Sequence, residues 1–222
     1  MPAFRISESL RAQEIRITVL IMIIYAVGIT GISFPWSMDL FIRLIPLVLL
    51  LSLAVSLSFH NEYNFKTVAV FTIIVLVSWF VEAAGVSSGA LFGKYTYGPA
   101  LGLKLSGTPL MIGLTWLLLI YGSASLVENF SFPPVLKILT ASTIMVLYDL
   151  ILEFVAPVLG MWHFESMAAP LQNYIAWFLV AFFFHSLLKI SGIRTSNRVA
   201  AVVFIVQFMF FLVLSLIFHF SK

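Results

Sequence analysis

In "MVLYDLILEFVAP", residues 145–157, two carboxylic acids interrupt an otherwise apolar run. Asp149 and Glu153 stand four residues apart, the spacing that puts two side chains on one face of a helix. A third acid, Glu82, opens "EAAGVSSGALFGKYTYGPALGLKLSGTP", residues 82–109, in which six glycines and two prolines surround Tyr95 and Tyr97. Farther on, Asn173 and Trp177 repeat the four-residue spacing. A carboxyl group withheld from water resists ionisation because its charge would lose hydration. It can stay protonated near neutrality and pass that proton to a poor acceptor. An electron-rich carbon–carbon double bond is such an acceptor, and aromatic faces stabilise the cation that results. Acids and aromatics in this pattern suit acid–base chemistry on an unsaturated lipid, with no cofactor and no metal required.

The elements that hold these residues must be membrane helices. Of 222 residues, 62% are hydrophobic and 9% charged, where soluble domains have about a quarter charged; mean hydropathy is +1.11. A spanning helix needs about 20 apolar residues. Stretches near 17–35, 40–59, 67–86, 109–127, 136–159, 170–190 and 199–219 qualify. The expected fold is therefore all-α, a polytopic transmembrane bundle of about seven spanning helices. It forms a single membrane domain over 1–222, with a polar, glycine-rich loop between the third and fourth helices. The opening "MPAFRISESLRAQEIR" reads as a short interfacial tail and lacks a small-residue cleavage site. Placing the N-terminus in the cytoplasm puts Arg5, Arg11, Arg16, Lys66, Lys137, Lys189, Arg194 and Arg198 inside. Only Arg43, Lys94, Lys104 and Lys222 then lie outside, as the positive-inside rule prefers. In that orientation Glu82, Glu153, Asn173 and Trp177 share the outer half of the membrane, and Asp149 lies nearer its middle. Segment 82–109 is expected to fold back over that end as a lid presenting Tyr95 and Tyr97.

Other chemistries find no support. Without cysteine there is no disulfide framework, iron–sulfur cluster or thiol nucleophile. His60, His163, His185 and His219 are scattered, with none of the clustered histidines that a di-iron lipid oxygenase needs. "GALFGKY" has too few residues between its glycines for a phosphate loop, and Tyr95 replaces the Ser or Thr. "NFS" at 129–131 falls on the cytoplasmic side of this topology and carries no weight as a glycosylation site. The net charge of +3 reflects topology and implies no nucleic-acid partner.

The polar segments also carry a resemblance. "EAAGVSSGALFGKYTYGPALGLKLSGTPLMIGLTW" is similar to the signature of the integral-membrane carotenoid biosynthesis protein family: E-x-x-G, FGxYxY, G-x-x-L-x-G-x-P and a downstream Trp. "YDLILEFVAPVLGMWHFESMAAPLQNYIAWF" resembles that family's second block, an Asp, a Pro, a loop Trp and N-x-x-x-W. Together they cover Glu82 to Trp177. The resemblance implies a cofactor-independent hydratase of the cell membrane of a prokaryote, a hydro-lyase. Its partners would be an acyclic or monocyclic carotenoid, water and the bilayer, with water added across the terminal 1,2 double bond of the ψ end. On that reading Asp149 or Glu82 donates the proton, Asp149 first because it lies deepest, and the other polarises water. Asn173 orients the water, while Tyr95, Tyr97, Trp116, Trp162, Trp177 and Glu153 line the substrate.

Each assignment has a plainer counterpart. Glu82 can hold the start of the polar loop, and Asp149 can bond a neighbouring helix. Trp116, Trp162 and Trp177 can belong to the interfacial belt. Gly85, Gly89 and Gly93 can form a packing stripe if the helix continues through them. Lys94 and Lys104 can snorkel to headgroups, and His185 can be a satisfied contact between helices. Three other functions remain open: a cyclase or isomerase using the same cation, a proton-coupled transporter using Asp149 and Glu153, and a carotenoid-binding protein without activity. A transporter would have a water path through to the cytoplasm and paired broken helices. Oligomeric state is not legible.

Overall fold

The computed structural model describes residues 4–5 and 13–220; most of the expected interfacial tail lies outside them. Among the described residues seven helices are long and apolar enough to cross a membrane. They are α1 (Glu14–Ser33), α2 (Pro35–Ser58), α3 (Phe65–Ser88), α4 (Met111–Glu128), α5 (Pro134–Val155), α6 (Leu171–Ile190) and α7 (Arg198–Phe220). The chain is a multi-pass membrane protein, a polytopic helical bundle. Apolar side chains such as Trp36, Phe65, Phe80, Leu179 and Ile190 remain exposed, as they must when hydrocarbon is the solvent. α4 is the most enclosed helix and packs against α2, α3, α5, α6 and α7.

Local chemistry places the helix ends. The Asn64 side chain accepts the Thr67 N–H at 2.9 Å and caps α3. Gly89, left-handed at φ 64°, stops that helix, a conformation that a Cβ would penalise. Glu82 therefore lies nearly two turns inside α3, and the polar segment begins in helix rather than loop. Gly85, Gly89 and Gly93 form no continuous stripe: Gly85 faces the Phe92 ring and Gly93 faces Pro170, both across the reversed chain. α2 starts at Pro35, earlier than hydropathy alone places it, because proline suits the first helical position. α5 stops at Val155 rather than near 159, since Pro157 has no N–H to give the Glu153 carbonyl and its ring clashes there.

Between the helices the loops are ordered by short strands that hydropathy does not reveal. β1 (Tyr95–Tyr97) pairs antiparallel with β4 (Trp162–Phe164), in the register Tyr95↔Phe164, Thr96↔His163 and Tyr97↔Trp162. β2 (Lys104–Leu105) pairs with β3 (Thr108–Pro109) in a small hairpin. The first ribbon ties the segment after α3 to the segment after α5. Strand alternation then sends Tyr95, Tyr97, Trp162 and Phe164 inward, while Thr96 and His163 face out and bond each other at 2.9 Å. Where the two segments continue side by side, the Gly98 N–H reaches Met161 O at 2.8 Å. A Cβ on Gly98 would sit 2.1 Å from Gly160 O, so only glycine permits that approach.

Candidate active site

Under the ribbon, at the end of the bundle where α3 and α5 finish and α4 and α6 begin, lies a cavity of about 50 Å³. Glu82, Tyr95, Tyr97, Trp116, Glu153, Trp162, Asn173 and Trp177 all line it. A cavity needs about 10–15 Å³ by this measure to admit one water, so there is room for water beside the acids.

Glu82 is the best-anchored group. It is 4% exposed and takes three hydrogen bonds. Tyr95 and Tyr97 donate to Oε2 at 2.6 and 2.8 Å, and Trp116 Nε1 donates to Oε1 at 2.9 Å. The two tyrosines come from β1 and the tryptophan from α4, so the loop fold itself builds the carboxyl's surroundings. Burial first, and then the charge of Glu82, pushes both phenols well above the usual tyrosine range. They therefore remain O–H donors at any physiological pH. Lys104 Nζ donates to the Tyr97 carbonyl, pinning the strand. That contact, rather than headgroup snorkelling alone, is where this lysine is found.

The acids on α5 have different surroundings. Glu153 lines the cavity and receives only Trp162 Nε1, shared between its oxygens at 3.1 and 3.2 Å. Asp149 is 0% exposed and is not part of the lining. Asn173 Nδ2 donates to its Oδ2 at 2.6 Å, while Oδ1 has no hydrogen-bond partner. The acid expected to lie deepest thus stands behind Asn173 and reaches the cavity through it.

Aromatic rings close the walls. Trp116 and Trp177 stack with centroids 4.5 Å apart, and Tyr97 meets Trp162 edge-on at 5.9 Å. All three tryptophans are buried, so none of them is a belt residue. Sequence reasoning missed Tyr148, Phe92 and Phe164, which also line the cavity. Phe164 was legible as the partner of a Tyr-Thr-Tyr alternation, since "WHF" has the same in–out–in pattern. Tyr148 and Phe92 carried no signal beyond being aromatic. Beyond the cavity, buried polar side chains tie the helices to one another. His185 bonds Ser123 and Ser142 at 2.9 and 3.2 Å and the Ala181 carbonyl at 2.7 Å, the satisfied interhelical contact expected of it. Nearer the other end Tyr121 joins His60 and Asn197 at 2.7 and 3.0 Å. The seven spanning helices are each continuous among the described residues, unlike the paired broken helices of a transporter.

A family model described as "Carotenoid biosynthesis protein" matches residues 44–221. The chain belongs to that family. The match takes in α3 to α7 whole, so every residue of the cavity falls within the carotenoid biosynthesis family region. The chain is also similar to the bisanhydrobacterioruberin hydratase of Haloarcula japonica, 29% identical over 119 residues. That alignment covers 48% of this chain and 39% of the relative, so the chain spans well under half of that relative's length. No solved structure matches it. The protein is thus a multi-pass membrane member of a carotenoid biosynthesis family, with an acid-lined, aromatic-walled cavity under its loops.

Proposed function

We propose that this protein hydrates the terminal 1,2 double bond of an acyclic carotenoid end, acting as a cofactor-independent hydro-lyase. The observation that carries the reading is that two carboxyl groups, Glu82 and Glu153, face one small aromatic-walled cavity with room for water. In the forward step a carboxyl O–H gives its proton to C2 of the alkene, whose π electrons form the new C–H bond. The tertiary cation at C1 lies among Trp116, Trp162, Trp177 and Tyr97. Water attacks C1, and its extra proton passes to the second carboxylate, leaving a tertiary alcohol. One water is added and no oxidant or reductant is consumed.

Hydrogen-bond inventory supports dividing the roles. Glu82 already accepts three bonds, which suits an anionic group that faces the cation and takes the proton from water. Glu153, with one shared donor, keeps capacity for a proton of its own and is assigned as the donor. Asp149 acts through Asn173, holding the amide whose other polar atom orients water. This reassigns first place from Asp149 to Glu153, because a donor must touch the alkene.

The test is expression in a host that accumulates lycopene or γ-carotene, with mass analysis of the pigments. A gain of one water per ψ end is expected. Unchanged pigments despite verified membrane insertion would overturn the reading. A pigment of altered retention and unchanged mass would replace it with a cyclase or isomerase using the same cation.

A further inference from the structure

A second cavity, of about 270 Å³, lies between α1, α2 and α7, walled by Tyr25, Gly28, Phe41, Val48, Gln207 and Phe210. Two of its lining side chains, Leu49 and Phe211, also line the acid cavity. The two hollows therefore share a wall only one side chain thick. Toward the outside, Ile23 and Val27 line the same cavity and are 52% and 51% exposed on the bilayer-facing surface. The hollow thus begins at the lipid and ends against the wall of the acid cavity.

We propose that this cavity is the seat of the substrate's polyene chain, entered sideways from the bilayer, with the reacting end passing Leu49 and Phe211 to reach Glu82 and Glu153. What happens at that end rests on the hydratase reading; what the cavity holds does not. The walls are nearly all hydrocarbon, which suits a long apolar chain that cannot cross water. One polar group in them is poorly satisfied. Gln207 is 1% exposed, and neither its Nε2 nor its Oε1 makes a hydrogen bond of ordinary geometry. The adjacent Tyr25 hydroxyl is paired with Ser52 at 2.9 Å and also interacts with the amide, outside ordinary hydrogen-bond geometry. A buried amide held by so poor a contact costs free energy that an occupant can recover. The π face of a conjugated chain accepts an N–H weakly, and a saturated acyl chain does not. At Gly28 the wall of the hollow is tight, since a Cβ there would stand 3.2 Å from the Phe210 ring.

The test uses the purified full chain with lycopene as probe, measuring pigment retained through gel filtration and its induced circular dichroism. Wild type and Glu82→Gln should both retain pigment. Gly28→Leu and Val48→Trp, which fill the hollow from α1 and α2, should lose about tenfold or more in retention. Gln207→Leu should lose severalfold while its melting temperature does not fall, because it removes a buried amide that is poorly satisfied. Equal retention by wild type and both filling variants would overturn the proposal, as would recovery of membrane lipid alone from wild type. The two readings separate cleanly. Pigment retained without water added sinks the hydratase step and leaves the seat. Hydration undiminished in both filling variants sinks the seat and leaves the hydratase.

Discussion

Glu82 concentrates the residue-scale chemistry. Three donors meet its two oxygens, so Glu82→Gln must turn an amide N–H toward either the tyrosines or Trp116. We expect the substitution to lower the hydration rate by about 10²–10⁴-fold, the usual worth of an acid or base in the transition state. Stability should fall by about 1–3 kcal/mol as a donor loses its acceptor. Pigment mass analysis and thermal melts of the purified variant check both. Glu153→Gln should lose activity on the same scale with a smaller change in melting temperature, since it gives up only one shared bond to Trp162. Retained hydration in that variant would return the donor role to another acid. Asp149→Asn tests the indirect role. It should slow hydration by less than Glu153→Gln does, and equal losses would place Asp149 in contact with the reacting carbon.

The β1–β4 ribbon is the element that turns two loops into a site. Its register carries Tyr95, Tyr97 and Trp162 inward together, so a slip of one residue would send all of them to the outer face. Gly98→Ala places a methyl within van der Waals overlap of Gly160 O, a backbone atom that cannot swing away. Overpacking of this kind costs about 1–3 kcal/mol, and the ribbon would part before the helices melt. The expected outcome is lost hydration with unchanged helical circular dichroism and weakened protection of 95–98 in hydrogen exchange. Normal activity in Gly98→Ala would mean that the ribbon does not position the tyrosines. The lid expected from the glycine-rich segment is thus a strand-bound cover whose inner face supplies two of the ligands of Glu82.

For the whole molecule, orientation decides which side of the membrane the acids approach. The chain has no cysteine, so single introduced thiols report without background. With the N-terminus inside, Met167→Cys, 94% exposed beside the ribbon, should react with an impermeant maleimide in intact cells. Phe130→Cys, 49% exposed in the α4–α5 turn, should react only after lysis. The opposite pattern would invert the topology. At that other end Glu128 lies 3.4 and 3.6 Å from Lys137 and Lys189, which suits a headgroup-level ion network remote from the cavity.

Seven spans, the position of each within a few residues, and the gathering of Glu82, Glu153, Asn173 and Trp177 at one end were legible from hydropathy and alternating direction alone. That is because the bilayer leaves helices few choices of length or course. Which acid faces the cavity was not legible. It depends on helix rotation and on Asn173 standing between Asp149 and the cavity, and a near-uniform apolar helix carries little periodic signal to fix rotation. The ribbon was equally hidden, since its two strands are three residues each and about 65 residues apart. Their pairing is specified by packing against Glu82 and Trp116, contacts that exist only once the bundle has closed.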